Sequence, residues 1–280
     1  MDRPTIGTLT RSWLLAITLS AALLTCVSAR ADLMLHPNRI VLEGTQRTAQ
    51  LELINRGTTT EVYRLKLVRR RMSDLGEFTA VDSPLPGELF ADDLVRYSPR
   101  QIELAPGASQ TIRLMVRKPA ELPAGEYRSH LLFEKLPDAA PAGAATENAS
   151  PQLDIKLTAL VSVTIPIIVR HGDIHATVEL QDLKLEPSPT GEPVLSLTVN
   201  RRGASSVYGD LIAEFIPKNG PPQVVASAKG LAVYAPNALR RGQLALKPGV
   251  SLTAGKLHVV FRERADTRGP PLAEATLQLP

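Results

Sequence analysis

The chain has 280 residues, a formal charge of +4 at neutral pH, 44% hydrophobic residues and 4% aromatic ones. That length suits two domains of ordinary size. The charge is too slight, and the acidic residues too evenly spread, to point to a nucleic-acid partner.

Arg3 and Arg11 precede an apolar run from Trp13 to Leu24, and Ala29-Arg30-Ala31 follows. A charged start, a short apolar stretch and an A-x-A site predict a cleaved secretory signal peptide over residues 1–31. The run is too short for a membrane-spanning helix and no later run is longer, so no transmembrane segment is expected in the mature chain. Cleavage after Ala31 leaves a net charge of +2 and removes Cys26, the one cysteine. A lipid anchor at Cys26 is the competing reading, although Thr25 is larger than the residue usual before such a cysteine. The mature chain then folds without a disulfide, on its core alone, in an exported compartment.

From Leu33 the pattern is all-β. LMLHPNRIVLEG, TAQLELINRG and EVYRLKLVRRRM are short alternating runs, with Glu43-Gly44 and Asn55-Arg56-Gly57 as turns. Arg69-Arg70-Arg71 reads as a strand end at the surface, and Asp74 to Asp93 as a long loop. Strands are predicted at Leu94–Ser98, Gln101–Leu104, Ser109–Val116 and Glu126–Leu136. Residues 138–150 are small and polar and predict a loop.

From Gln152 the alternation is long. Leu153, Ile155, Leu157, Ala159, Val161, Val163 and Ile165 take every second position. That period predicts a strand with one apolar face, longer than the usual 5–6 residues or so. Asp154, Lys156 and Thr158 on the other face suit a sheet edge. Two readings follow: a long core strand, or a strand held out for another polypeptide by strand addition. A hinge is predicted at residues 167–172, separating a domain of residues 32–166 from one of residues 173–280. The second domain carries predicted strands at Ala176–Leu185, Val194–Asn200, Val207–Ile216, Gln223–Ala226, Leu231–Tyr234, Gly242–Leu246, Lys256–Arg264 and Leu272–Leu279. Many short strands between turns argue for sandwiches rather than βαβ units.

No catalytic constellation emerges, so no enzyme, cofactor or metal is expected. There is no G-x-S-x-G and no phosphate-binding loop. Ser129 and His130 are neighbours on a strand and point to opposite faces, which does not support a nucleophile–base pair. His171 and His175 are four apart in a linker, where surface histidines are the plain explanation.

LHPNRIVLEG, RYSPRQIELAPGASQTIRL, LPAGEYRSHLLFEKLP and the strand ending IPIIVRHG together carry a family likeness. The chain resembles the PapD-like periplasmic chaperones of chaperone–usher pilus assembly, in a divergent form. The resemblance implies two immunoglobulin-like β-sandwich domains in a boomerang, and a periplasmic role in fimbrium biogenesis and cell wall organization. The long strand would be the donor strand, with Leu153, Ile155, Leu157, Ala159, Val161 and Val163 filling a groove in a pilus or fimbrial subunit. An outer-membrane usher would receive the subunit. Arg39 matches the arginine that anchors the subunit's C-terminal carboxylate, and a guanidinium fork suits two carboxylate oxygens. The family's partner lysine is missing: the register set by Arg170 puts Pro166 there, leaving Arg100 and Arg128 as secondary candidates. Arg170 and Glu126 match an interdomain ion pair. The rival is a structural or adhesive cell-envelope protein of the same build, such as a pilus component. Such a subunit needs a disordered N-terminal extension, whereas here the first strand follows Asp32 closely.

Overall fold

The computed structural model describes residues 33–137, 162–250, 252, 254–264 and 269–280. The described chain is all-β, and its strands divide between two sandwiches. In the first, β1 (Leu33–His36), β3 (Thr48–Asn55), β9 (Ser109–Val116) and β7 (Val95–Ser98) form one sheet in the order β1-β3-β9-β7. Its partner has the order β2-β11-β10-β4-β8, built from β2 (Ile40–Leu42), β4 (Glu61–Val68), β8 (Gln101–Leu104), β10 (Gly125–Lys135) and β11 (Val163–His171). This layout, with β1, β3, β9 and β7 on one side and β4, β10 and β11 on the other, is that of an immunoglobulin-like sandwich. Tyr127 near the start of β10 donates its hydroxyl to the Pro123 carbonyl at 2.9 Å, the corner that immunoglobulin-like folds place on this strand.

Alternation dictates the core. On β4, Tyr63 and Leu65 are buried while Arg64 and Lys66 face water. They pack with Leu51 and Leu53 of β3, Ile112 and Leu114 of β9, Phe133 of β10, and Ile165, Ile167 and Val169 of β11. The chain changes sheets between β1 and β2: β1 pairs antiparallel with β3, β2 pairs parallel with β11, and Pro37-Asn38-Arg39 turns the corner between them.

The second sandwich opposes a three-stranded sheet, β12-β13-β16, to a four-stranded sheet, β15-β14-β17-β18. Its strands are β12 (Ala176–Pro187), β13 (Pro193–Gly203), β14 (Val207–Pro217), β15 (Gln223–Val233), β16 (Leu239–Ala245), β17 (Gly255–Glu263) and β18 (Ala273–Leu279). Leu195, Val199, Phe215, Leu257 and Phe261 fill it.

The structure departs from the sequence reading in three places. The expected loop after Asp74 contains β6 (Phe78–Ala80), which forms a hairpin with β5 (Arg70–Met72). Three residues are too short for alternation to reveal a strand. Arg69 and Arg71, two apart in the arginine run, tie the rest of this loop down through Asp92 at 2.7 Å and Glu88 at 2.6 Å. Gln223–Ala226 and Leu231–Tyr234, expected as separate strands, are one strand whose irregularity is absorbed by register shifts against β14 and by Gly230 at φ +71°. The expected hinge at residues 167–172 is instead mostly strand. Ile167, Ile168 and Val169 are fully buried, paired with β10 on one side and β2 on the other, and the chain leaves the first sandwich at Gly172. Apolar residues on consecutive positions looked like the end of a pattern, but they mark a strand covered on both faces. Leu153, Ile155, Leu157, Ala159 and Val161 lie outside the described residues, while Val163 opens β11 half-buried.

Ile167→Ala is expected to destabilise the first sandwich by about 2–5 kcal/mol, the usual cost of a buried aliphatic truncation. Urea unfolding of the variant against the native chain checks this; an unchanged midpoint would return these residues to a linker.

Candidate functional site

The two sandwiches meet through the outer face of the β2-β11-β10 side of the first sandwich's five-stranded sheet. On β10 the core-facing residues are Tyr127, Leu131 and Phe133, and Glu126, Arg128 and His130 take the alternate positions. All three are buried as well, so this strand is covered on both faces. A small apolar cluster closes the contact: Met72 and Ile168 from the first sandwich, Ala232 and Tyr234 from the second, with Val41 and Tyr208 packed against it.

Glu126 and Arg170 stand opposite each other in the β10–β11 register. Arg170 Nε donates to Glu126 Oε2 at 3.0 Å, its Nη1 to Glu43 Oε2 at 3.1 Å, and its Nη2 to the Ser206 carbonyl at 3.0 Å. Glu126 also accepts the Ser206 amide at 2.9 Å and a short bond from the Ser206 hydroxyl. One carboxylate therefore joins two strands of the first sandwich to the start of β14 in the second. The family resemblance implies an interdomain ion pair of these two residues, and the register and the Ser206 contacts bring them together beside the second sandwich. The Glu126 side chain is only 1% exposed.

The β5–β6 hairpin makes a further attachment. Asn237 Nδ2 donates to the Met72 carbonyl at 2.8 Å and the Arg241 amide to the Asp74 carbonyl at 2.7 Å. Gly76, at φ +87°, lies so close to the Arg240 guanidinium that a Cβ there would collide with it. Phe78 packs edge-on against His130, ring centres 5.1 Å apart, and against Tyr234 at 6.0 Å.

Beside these contacts lies an open cavity of about 800 Å³, lined by Pro37, Arg39 and Val41 from the first sandwich and by Val207, Tyr208 and Arg264 from the second. Arg39 is half-buried in it. Its Nη1 donates to the Tyr234 hydroxyl at 3.2 Å, and its guanidinium lies 4.6 Å from the Tyr208 ring centre and 5.3 Å from that of Tyr234. Arg128 sits against the same Tyr234 ring at 4.4 Å, 5% exposed, with Nε and Nη1 lacking a hydrogen-bond partner. Burial pushes its pKa down, opposed by the nearby Tyr234, Glu126 and Glu88. Arg100 is elsewhere, on the loop between β7 and β8, stacked on Tyr97 at 4.4 Å and donating to its hydroxyl. Neither Arg100 nor Arg128 lines the cavity; Arg128 shares the Tyr234 ring with Arg39, and Arg100 stacks on a different ring.

Tyr208, Ser206, Tyr234 and Phe78 were not singled out in the sequence. Each matters through a contact more than 35 residues away in the chain, a distance at which strand alternation carries no signal. Among the described residues no group of three or more His, Cys, Asp or Glu side chains could hold a metal ion. His175 pairs with Asp173 at 2.7 Å on the surface. No described helix is long and apolar enough to cross a membrane.

The chain is similar to pilus chaperones of solved structure. Neither a family model nor a curated protein matches its sequence. The chaperone–tip adhesion subunit pre-assembly complex CsuC–CsuE, from archaic chaperone–usher Csu pili of Acinetobacter baumannii, matches at 15% identity, over 89% of this chain and 98% of that one, with a TM-score of 0.45. The class 5 fimbriae chaperone CfaA matches at 14% identity, over 89% and 100%, with a TM-score of 0.43. The Escherichia coli chaperone DraB matches at 13% identity, over 89% and 96%, with a TM-score of 0.42.

Arg170→Met is expected to destabilise the protein by about 3–5 kcal/mol, because it strands a buried carboxylate. Adding Glu126→Gln should recover part of that loss, and chemical unfolding of the single and double variants measures both.

His130 gives a pH signature. Burial, aided by Arg128 and Arg70, holds its pKa down at about 3, well below the ordinary 6.5. The unfolded chain therefore binds the proton first as pH falls, so stability is full above about 6.5 and declines toward 3. The paired carboxylates of Glu61, Glu88 and Asp92 have lowered pKa values and lose their contribution only below the usual carboxylate range. Between about pH 6.5 and 5 the native chain should lose melting temperature, and His130→Gln should flatten that slope. Equal slopes in the two proteins would show that His130 does not cause the decline.

Proposed function

We propose that this chain is a non-catalytic periplasmic chaperone that binds pilus or fimbrial subunits by lending them a strand, and delivers them to an outer-membrane usher. Residues 32–171 form the capturing sandwich in this reading and 173–280 the second domain. The observation that carries it is the edge of β11. β2 pairs with Ile167, Ile168 and Val169, so among the described residues Val163 to Pro166 have a strand neighbour on the β10 side alone. Pro166, which has no N–H to offer, falls in this one-sided stretch, as prolines in strands do. The alternating apolar run of Leu153 to Val161 leads directly into it. An open strand edge preceded by alternate aliphatic side chains suits strand addition: main-chain bonds supply affinity and alternate side chains supply register.

The cleft arginine adds the second element. Arg39 faces an open cavity and is held by a neutral hydroxyl and two rings, leaving it free to meet an anion such as a chain-terminal carboxylate. Aliphatic side chains moved into a subunit groove contribute about 1.5–3 kcal/mol each, so Leu153, Ile155 and Leu157 would supply much of the capture energy.

The test is co-expression with the product of a neighbouring subunit gene, followed by co-purification. Arg39→Ala is expected to weaken capture by about 2–5 kcal/mol and to leave the melting temperature close to native. Leu157→Asp should likewise lose capture without loss of stability. Normal capture by both variants would refute the reading, and a collapsed melting temperature in Leu157→Asp would return that strand to ordinary core.

A further inference from the structure

Three side chains beside the β5–β6 hairpin carry hydrogen-bond donors that no described residue meets. Arg128 and His130 are buried, and they stand two apart on β10, on the face turned away from the core of the first sandwich. Arg70 lies on β5, and its charge, like that of Arg128, is felt at the His130 ring. Arg128 Nε and Nη1, His130 Nδ1 and Arg70 Nε are all closed off from solvent, and among the described residues none has a hydrogen-bond partner. Phe78 of β6 covers this group, its ring centre 5.1 Å from that of His130 and 6.0 Å from the Arg128 guanidinium. Tyr234 covers Arg128 from the second sandwich at 4.4 Å. The acids near Arg128 are committed elsewhere: Glu126 to Arg170 and Ser206, Glu88 to Arg71. Arg39 adds further positive charge from the side of the open cavity.

We propose that Arg70, Arg128 and His130 enclose a single halide ion, such as chloride, beneath the β5–β6 hairpin. The site is separate from the open cavity at Arg39, whose lining includes none of the three, and it does not depend on the chaperone reading. The ligand has to accept from several N–H groups at once, because a guanidinium only donates and a neutral imidazole donates from one of its nitrogens. It has to be negative, because a buried cation with neither an acid nor a hydrogen-bond acceptor is unfavourable. The low pKa of His130 leaves its ring neutral at pH 7, so the ring supplies a donor while the two arginines supply the charge. The ligand also has to be compact. A polyatomic oxyanion would bury further oxygens against Phe78 and Tyr234, whose rings offer them no donor. An ion held here ties β10 to β5. Through Phe78, which packs on both His130 and Tyr234, it also steadies the contact with the second sandwich.

The experiment uses the full chain, Arg128→Met and Arg70→Met. Sodium chloride replaces sodium gluconate at constant ionic strength, and thermal unfolding is followed by calorimetry. The native melting temperature should rise with chloride, and above Kd it should follow the logarithm of the chloride concentration, as binding to the folded state alone requires. Each variant should need about tenfold more chloride, or more, for the same rise, since it loses one set of charge-assisted donors. Arg70→Met, at a half-buried position, carries the comparison if Arg128→Met does not fold. Crystals soaked in sodium bromide locate the ion, and an anomalous peak in contact with Arg128 and His130 is expected. A native melting temperature indifferent to chloride, an equal response in the native chain and the variants, or a bromide peak only elsewhere overturns the site and makes water the partner of these donors.

Discussion

A buried carboxylate must be paired, and Glu126 meets that constraint with groups from both halves of the molecule. Arg170 supplies charge from the neighbouring strand, while Ser206 supplies an amide and a hydroxyl from the other sandwich. The second domain is thus part of the solvation shell of an ion in the first. Separating the sandwiches would remove two of the donors on which that ion depends. This coupling explains why β10, a strand with one face on its own core, is buried on the other face as well.

Around that ion the junction is graded in polarity. Met72, Ile168, Ala232 and Tyr234 exclude water next to it, and the side bearing Arg39 stays open to solvent. The unbonded guanidinium of Arg128 lies between these regimes, shielded by rings rather than neutralised by acids. Buried ionic groups of this kind add little to stability against an apolar replacement.

Much of the fold was legible because alternation is a local property. Gln101–Leu104 and Ser109–Val116 are strands with the bounds their period indicates, since every second residue faces one core. The β5–β6 hairpin was not legible, because a three-residue strand defined by contacts with another domain has no period of its own. Ile167 to Val169 were misread for the opposite reason: burial on both faces erases the alternation that marks a strand. At the site, Arg39, Arg170 and Glu126 could be named from the family likeness, which also supplied the idea of a second cation. Geometry was needed to separate Arg100 from Arg128, which differ in whether the fold brings them to Tyr234. Tyr234 itself is one tyrosine among five, and nothing about its neighbours in the chain distinguishes it.

The β5–β6 hairpin has a mechanical consequence. A body held to another at one point can swivel about every axis through that point. Here the second sandwich is held at Ser206 through Glu126 and Arg170, and again where the hairpin backbone meets Asn237 and Arg241. With the apolar cluster of Met72, Ile168, Ala232 and Tyr234 and the Arg39–Tyr234 hydrogen bond beside them, these separated attachments oppose rotation of one sandwich against the other about more than one axis.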